Sequence, residues 1–99
     1  MRWLEIITVR SAGREQRRSL DEFLKQIPKF AAQNAVDSVQ VFTNATVEGD
    51  LSIHLHWNSR RAECQKSSQG LGLAQTLREH GLVNHSVWIE KDGTPRKRS

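Results

Sequence analysis

The sequence contains no tyrosine, one cysteine and no long apolar run. Each absence excludes something. Cys64 alone cannot form an internal disulfide, and its isolation suits a reducing compartment. Without a run of about 18 or more apolar residues, no helix can cross a membrane. A strand pattern begins by Trp3 with no apolar leader core before it, so a cytoplasmic protein is expected. Apolar residues make up 36% of 99 positions, enough for one small core and one domain. Association with a second copy would relieve that shortage.

Charge is present but unevenly placed. The net charge is +4. Between residues 91 and 99, Lys91, Arg96, Lys97 and Arg98 stand against Asp92, a balance of +3. Residues 1–90 therefore carry about +1. A nucleic-acid domain usually bears its positive charge on the folded surface. Residues 92–99 are expected to form a basic, disordered tail behind a Gly-Thr-Pro turn sequence, leaving residues 1–91 as the domain.

Hydrophobic periodicity then orders the chain. Residues 51–57 alternate without a break: Leu51, Ile53, Leu55 and Trp57 on one side, Ser52, His54 and His56 on the other. Residues 3–11 form a first strand, with Trp3, Glu5, Ile7 and Val9 sharing a face. Leu20, Phe23, Leu24, Ile27 and Phe30 recur at helical spacing. Ser19 and Glu22 fit a capping box that would start this helix, a start near Arg14 being the alternative. Pro28 should kink it. Arg14, Arg17 and Arg18 read as solvated surface. Residues 38–47 form a second strand, joined to 51–57 by a Glu-Gly-Asp turn as a hairpin. A second helix should start at Asn58 or Ser59, bend near Gly70 and stop at Gly81. Residues 82–91 form the last strand.

The order βαββαβ with right-handed crossovers predicts an α+β, ferredoxin-like sandwich: a four-stranded antiparallel sheet with two helices on one face. The other face would collect Gln40, Phe42, Asn44, Ser52, His54, His56, Asn84, Ser86 and Trp88. Trp3 and Glu5 are assigned to it as well. This mixed polar and aromatic surface suits a binding cavity or a dimer interface.

That order, with His54-Leu-His-Trp57-Asn-Ser59 and Gly81-Leu-Val-Asn-His85-Ser-Val-Trp88, resembles the dimeric α/β-barrel superfamily. The superfamily includes antibiotic-biosynthesis monooxygenases and haem-degrading monooxygenases, and the resemblance covers about residues 1–91. It implies sheets paired face to face in a homodimer, with a pocket inside the barrel or between sheet and helices. It also implies a cofactor-independent oxygenase as one activity. Asn44, Trp57 and Trp88 are of the residue types such members use, but the tyrosine they often employ is missing. The haem-degrading members place a ligating histidine on the second helix. Here its middle holds Cys64 and Gly70-Leu-Gly72, so neither haem nor another cofactor is expected.

Single residues are weighed in the same way. His54 and His56 are the acid–base candidates, because imidazole titrates near neutral pH. As metal ligands they lack a third partner, so no metal is expected. Asn44, Trp88, Phe42 and Trp3 are the ligand-binding candidates, and Trp57 reads as core. Cys64 has no visible His-carboxylate partner to activate it. Gln69-Gly-Leu-Gly-Leu73 follows no strand and is not a dinucleotide fingerprint. The expected partners are a second copy and a small, partly apolar molecule, not a membrane or nucleic acid. Two alternatives are an RNA-recognition module, which shares the βαββαβ order, and a structural or regulatory dimer without catalysis.

Overall fold

Alternation of buried and solvated positions runs through the whole first strand, β1 (Arg2–Arg10). The computed structural model describes residues 1–91, and the tail expected at 92–99 lies outside them. After β1 come α1 (Gly13–Leu24), α2 (Ile27–Gln33), β2 (Ser38–Thr43), β3 (Asp50–Asn58), α3 (Ser68–Leu77) and β4 (Leu82–Ile89). The four strands form one antiparallel sheet in the order β2-β3-β1-β4. This is the expected ferredoxin-like α+β sandwich. The helices cover one face, where Ile7, Ile53, Leu55 and Leu77 are sealed from solvent.

Several expected boundaries move, each for a local reason. The first helix starts at Gly13, the alternative start, and not at Ser19. The Gln16 side chain accepts a hydrogen bond from the Ala12 N–H, and Ser19 Oγ is instead bonded to His80 Nδ1 at 2.6 Å. The kink expected at Pro28 is a full break. α1 ends at Leu24, and Pro28 sits in the first turn of α2, where its missing N–H has no helical partner to lose. β2 stops at Thr43 rather than Val47, because Asn44 Oδ1 accepts from the Thr46 and Val47 N–H groups and turns the chain.

The second helical region differs most. β3 runs on to Asn58, and residues 59–67 form a loop with one 3-10 turn, Arg61–Glu63. Only then does α3 begin, capped by Ser67 Oγ, which accepts from the Gly70 N–H at 2.9 Å. Gly70 and Gly72 lie inside α3 and cause no bend. α3 ends at Leu77, and Gly81 is not in the left-handed conformation expected of a C′ glycine. Its small size is required for another reason: a Cβ there would collide with the Arg10 carbonyl.

Candidate functional site

The face of the sheet away from the helices is uncovered. Its cross-strand rows are Ser38, His56, Leu4, Trp88; then Gln40, His54, Ile6, Ser86; then Phe42, Ser52, Thr8, Asn84. Leu4 and Ile6 hold the centre, half-buried by their neighbours alone. Phe42 and Trp88 lie on the two edge strands, 47% and 57% exposed. An apolar centre with large aromatics on both flanks is unusual for a surface that only meets water.

Two concavities open at opposite ends of the sheet. At one end a cleft of about 540 Å³ is framed by Leu4, Ser38, His56, Trp57 and Trp88, with Trp3 bordering it. All three tryptophans of the chain border it, Trp88 from the open face and the other two from the helix side. At the other end a cleft of about 440 Å³ is lined by Thr8, Phe42, Asn44, Ser52 and Asn84. The six expected site residues are therefore divided. His56, Trp88 and Trp3 belong to the first cleft, and Phe42 and Asn44 to the second. His54 lies between them, its ring 4.7 Å from that of Phe42 and 6.3 Å from that of His56.

Two of the expected face assignments are corrected. Trp3 and Glu5 point to the helix side, 4% and 0% exposed. β1 puts Ile7 and Val9 on that same side, and the helices need their apolar bulk. Trp3 stacks on Trp57 at 5.6 Å between centroids and 17° between planes, and its Nε1–H donates to Ser59 Oγ. Trp57, read as core, is half-buried and packs against the core from its margin.

Beneath this stacked pair lies a polar centre that sequence reasoning missed. The Glu5 carboxylate accepts from four donors: Trp57 Nε1–H at 2.8 Å, Ser67 N–H at 3.0 Å, Ser67 Oγ–H at 2.6 Å and His85 Nε2–H at 2.8 Å. Both of its oxygens are thus doubly satisfied, as a buried carboxylate requires. It ties β1 to β3, to β4 and to the first turn of α3, where a negative charge also suits the helix dipole. A Cβ on Gly70 would collide with Glu5 Oε1, which explains the glycine better than a bend does. His85 Nδ1 is left as the one buried side-chain polar atom without a partner among the described residues. The available signal was Glu5 itself, a charge among apolar residues of matching parity in a central strand.

Hydrogen bonding sets the state of the open-face imidazoles. His56 Nε2 lies 3.0 Å from Gln40 Oε1, an acceptor, so Nε2 carries the hydrogen and Nδ1 keeps a lone pair in the neutral ring. His54 Nε2 is 3.2 Å from Ser52 Oγ. Partial burial, and then the charge of His56, push the His54 pKa below its ordinary value. At the rim, Asp50 grips Arg10 through two bonds of 2.8 and 3.0 Å and holds the guanidinium pKa above its usual value. Among the described residues no three His, Cys, Asp or Glu side chains gather as a metal cluster. Among the described residues the hydrogen-bond partners of Cys64 Sγ are Met1 Sδ and the Arg60 carbonyl, neither of them a base.

The same architecture occurs in several solved structures. A variant of SnoaB, a cofactor-independent oxygenase from Streptomyces nogalater, superposes with a TM-score of 0.64 at 16% identity, over 96% of this chain and 98% of that one. The Rv0793 protein of Mycobacterium tuberculosis gives 0.62 at 20% identity, over 96% and 100%. A candidate antibiotic biosynthesis monooxygenase from Deinococcus radiodurans gives 0.65 at 14%, over 99% and 100%. At these identities the likeness establishes a shared fold. No protein-family model matches the sequence, and neither does any curated protein.

Proposed function

We propose that this chain forms a homodimeric α/β barrel through its open sheet face, and that the tryptophan-framed cleft binds a small, planar, partly apolar molecule. The observation that carries the reading is that cleft. Trp88 and His56 enter from the open face a cleft of about 540 Å³, a volume that fits a small molecule, and Trp57 and Trp3 close its end from the helix side. A facing copy would bury Leu4 and Ile6 and close the cleft from above.

The chemistry follows from the same groups. The aromatic walls favour a flat, electron-rich ligand. The free Nδ1 of His56 can take a proton from an acidic hydroxyl of that ligand. The resulting anion is itself a reductant for dioxygen: one oxygen atom enters the ring as a quinone carbonyl and the other leaves as water with the two displaced hydrogens, so the oxygenation needs no further redox group. The fold shared with SnoaB supports this choice of reaction. His54 lies farther along the sheet, its ring 6.3 Å from that of His56, outside the tryptophan-framed cleft.

RNA recognition has less support. The central-strand positions of the open face hold Leu4, Ile6, His54 and His56, and the large aromatics stand on the edge strands, away from where bases would stack.

Titration with 1-naphthol, followed by quenching of tryptophan emission and by oxygen uptake, tests the proposal. Saturable quenching lost in Trp88→Ala, with oxygen uptake lost in His56→Gln, is the expected result. Quenching without uptake would leave a binding protein. Neither signal, in a protein that is nevertheless a dimer, would favour a structural or regulatory dimer.

A further inference from the structure

The open face carries its titratable groups in an arrangement that bears on assembly. His54 and His56 sit on β3, one of the two central strands, beside Ile6 and Leu4 of β1. Their cross-strand neighbours on β2 are Gln40 and Ser38. The same rows continue on β4 as Ser86 and Trp88, and Phe42 packs on the His54 ring. None of these residues can supply a counter-charge. Among the described residues the formal charges near this face lie at its ends: Arg2, Glu90 and Asp37 at the end with the His56 cleft, Arg10 and Asp50 at the other, with Arg10 and Asp50 already paired and no ion pair joining an acid to His54 or His56. A protonated His54 or His56 would therefore stand among apolar and neutral groups, 6.3 Å from the other imidazole.

In the monomer, water can solvate that charge. Between two paired sheets it cannot, and the second copy brings two more histidines to the same layer. An isologous interface doubles any such cost, since each group occurs twice.

We infer that the open face is a pH-sensitive interface, in which protonation of His54 and His56 drives the two copies apart in mildly acidic solution. The inference rests on the pairing proposed above. The direction of the His54 pKa in the single chain agrees with it: burial already disfavours the charged ring, and pairing adds to that burial. Sign follows from linkage. A histidine whose pKa falls on association binds its proton preferentially in the free chain. The dimer is then at full strength above the free chain's pKa, which for His54 already lies below the ordinary histidine value, and weakens as the pH drops through it.

The test is the solution mass of the full chain, measured by light scattering with circular dichroism at each step between pH 8 and pH 5. The inference expects a dimer at pH 8 whose apparent dissociation constant rises at least about tenfold by pH 5.5, one pKa unit on one histidine being worth a factor of ten. His54→Gln/His56→Gln should hold its dissociation constant within about twofold over the same range. His54→Arg, which fixes a charge at that position, should be folded and monomeric at pH 8. That variant decides the matter even if the wild-type chain loses its fold in acid. A wild-type dimer indifferent to pH, or a dimeric His54→Arg, overturns the inference and leaves the pairing intact. A monomer at every pH overturns both.

Discussion

His85 and the His54–His56 pair lie on opposite faces of the same sheet and are held in opposite ways. Under the helices, His85 is 8% exposed and donates to a carboxylate whose four acceptor positions are all occupied. On the open face, His54 and His56 are half-buried and bonded to a neutral hydroxyl and a neutral amide, with no ion pair to an acid among the described residues. In the first arrangement every donor to the carboxylate is used, His85 Nδ1 alone being left without a partner, and its effect is to lock three strands to the start of α3. The second is unfinished, with a lone pair on His56 and an apolar floor without a roof. Polar groups that satisfy one another report on stability, and polar groups left facing a cleft report on function.

The contrast can be broken most severely at Glu5. Glu5→Ala would leave four donors buried without an acceptor, and a loss of roughly 3–5 kcal/mol is expected in urea denaturation. A loss below about 1 kcal/mol would mean that water replaces the carboxylate and that the centre is not closed. Next comes Gly70→Ala. Helix propensity alone favours alanine by up to about 1 kcal/mol, but the added methyl strikes Glu5, so a net destabilisation of about 1–3 kcal/mol is expected. Its control is Gly72→Ala in the same helix, where no atom lies within 4 Å of the new Cβ. There the propensity acts unopposed, and a gain of about 0.5–1 kcal/mol is expected in the same assay.

The smallest effect belongs to the open face of the single chain. Because the His54 pKa is depressed on folding, its contribution to stability is complete above the ordinary histidine value and declines as the pH falls through the depressed one. His54→Gln should flatten that decline while changing stability at pH 8 by less than about 0.5 kcal/mol. Denaturation midpoints at pH 8 and pH 5.5 would show it, and an unchanged slope would assign the decline to another group.

These asymmetries also explain what the sequence disclosed. Alternation along residues 51–57 and around Ile7 and Val9 was enough for the strands, the topology and the fold, since period-two patterning admits few alternatives in so short a chain. Parity placed His54, His56 and Trp88 on the open face. It misled for Trp3 and Glu5 only because their polar or amphipathic character was taken as a sign of exposure, against the parity they share with Ile7 and Val9. The Glu5 centre could not be read because its donors, Trp57, Ser67 and His85, come together only after β3, β4 and α3 are docked. Gly70 misled for the same reason. Its role is to make room for a side chain 65 positions away in the chain.

The central claim is that the unfinished face is completed by a second copy. Light scattering of the full chain at pH 8, beside Ile6→Glu, tests it most directly. The account predicts twice the 11.3 kDa of one chain for the wild type and a single chain's mass for the variant, which puts a charge at the centre of the face. A wild-type mass of 11.3 kDa would contradict it.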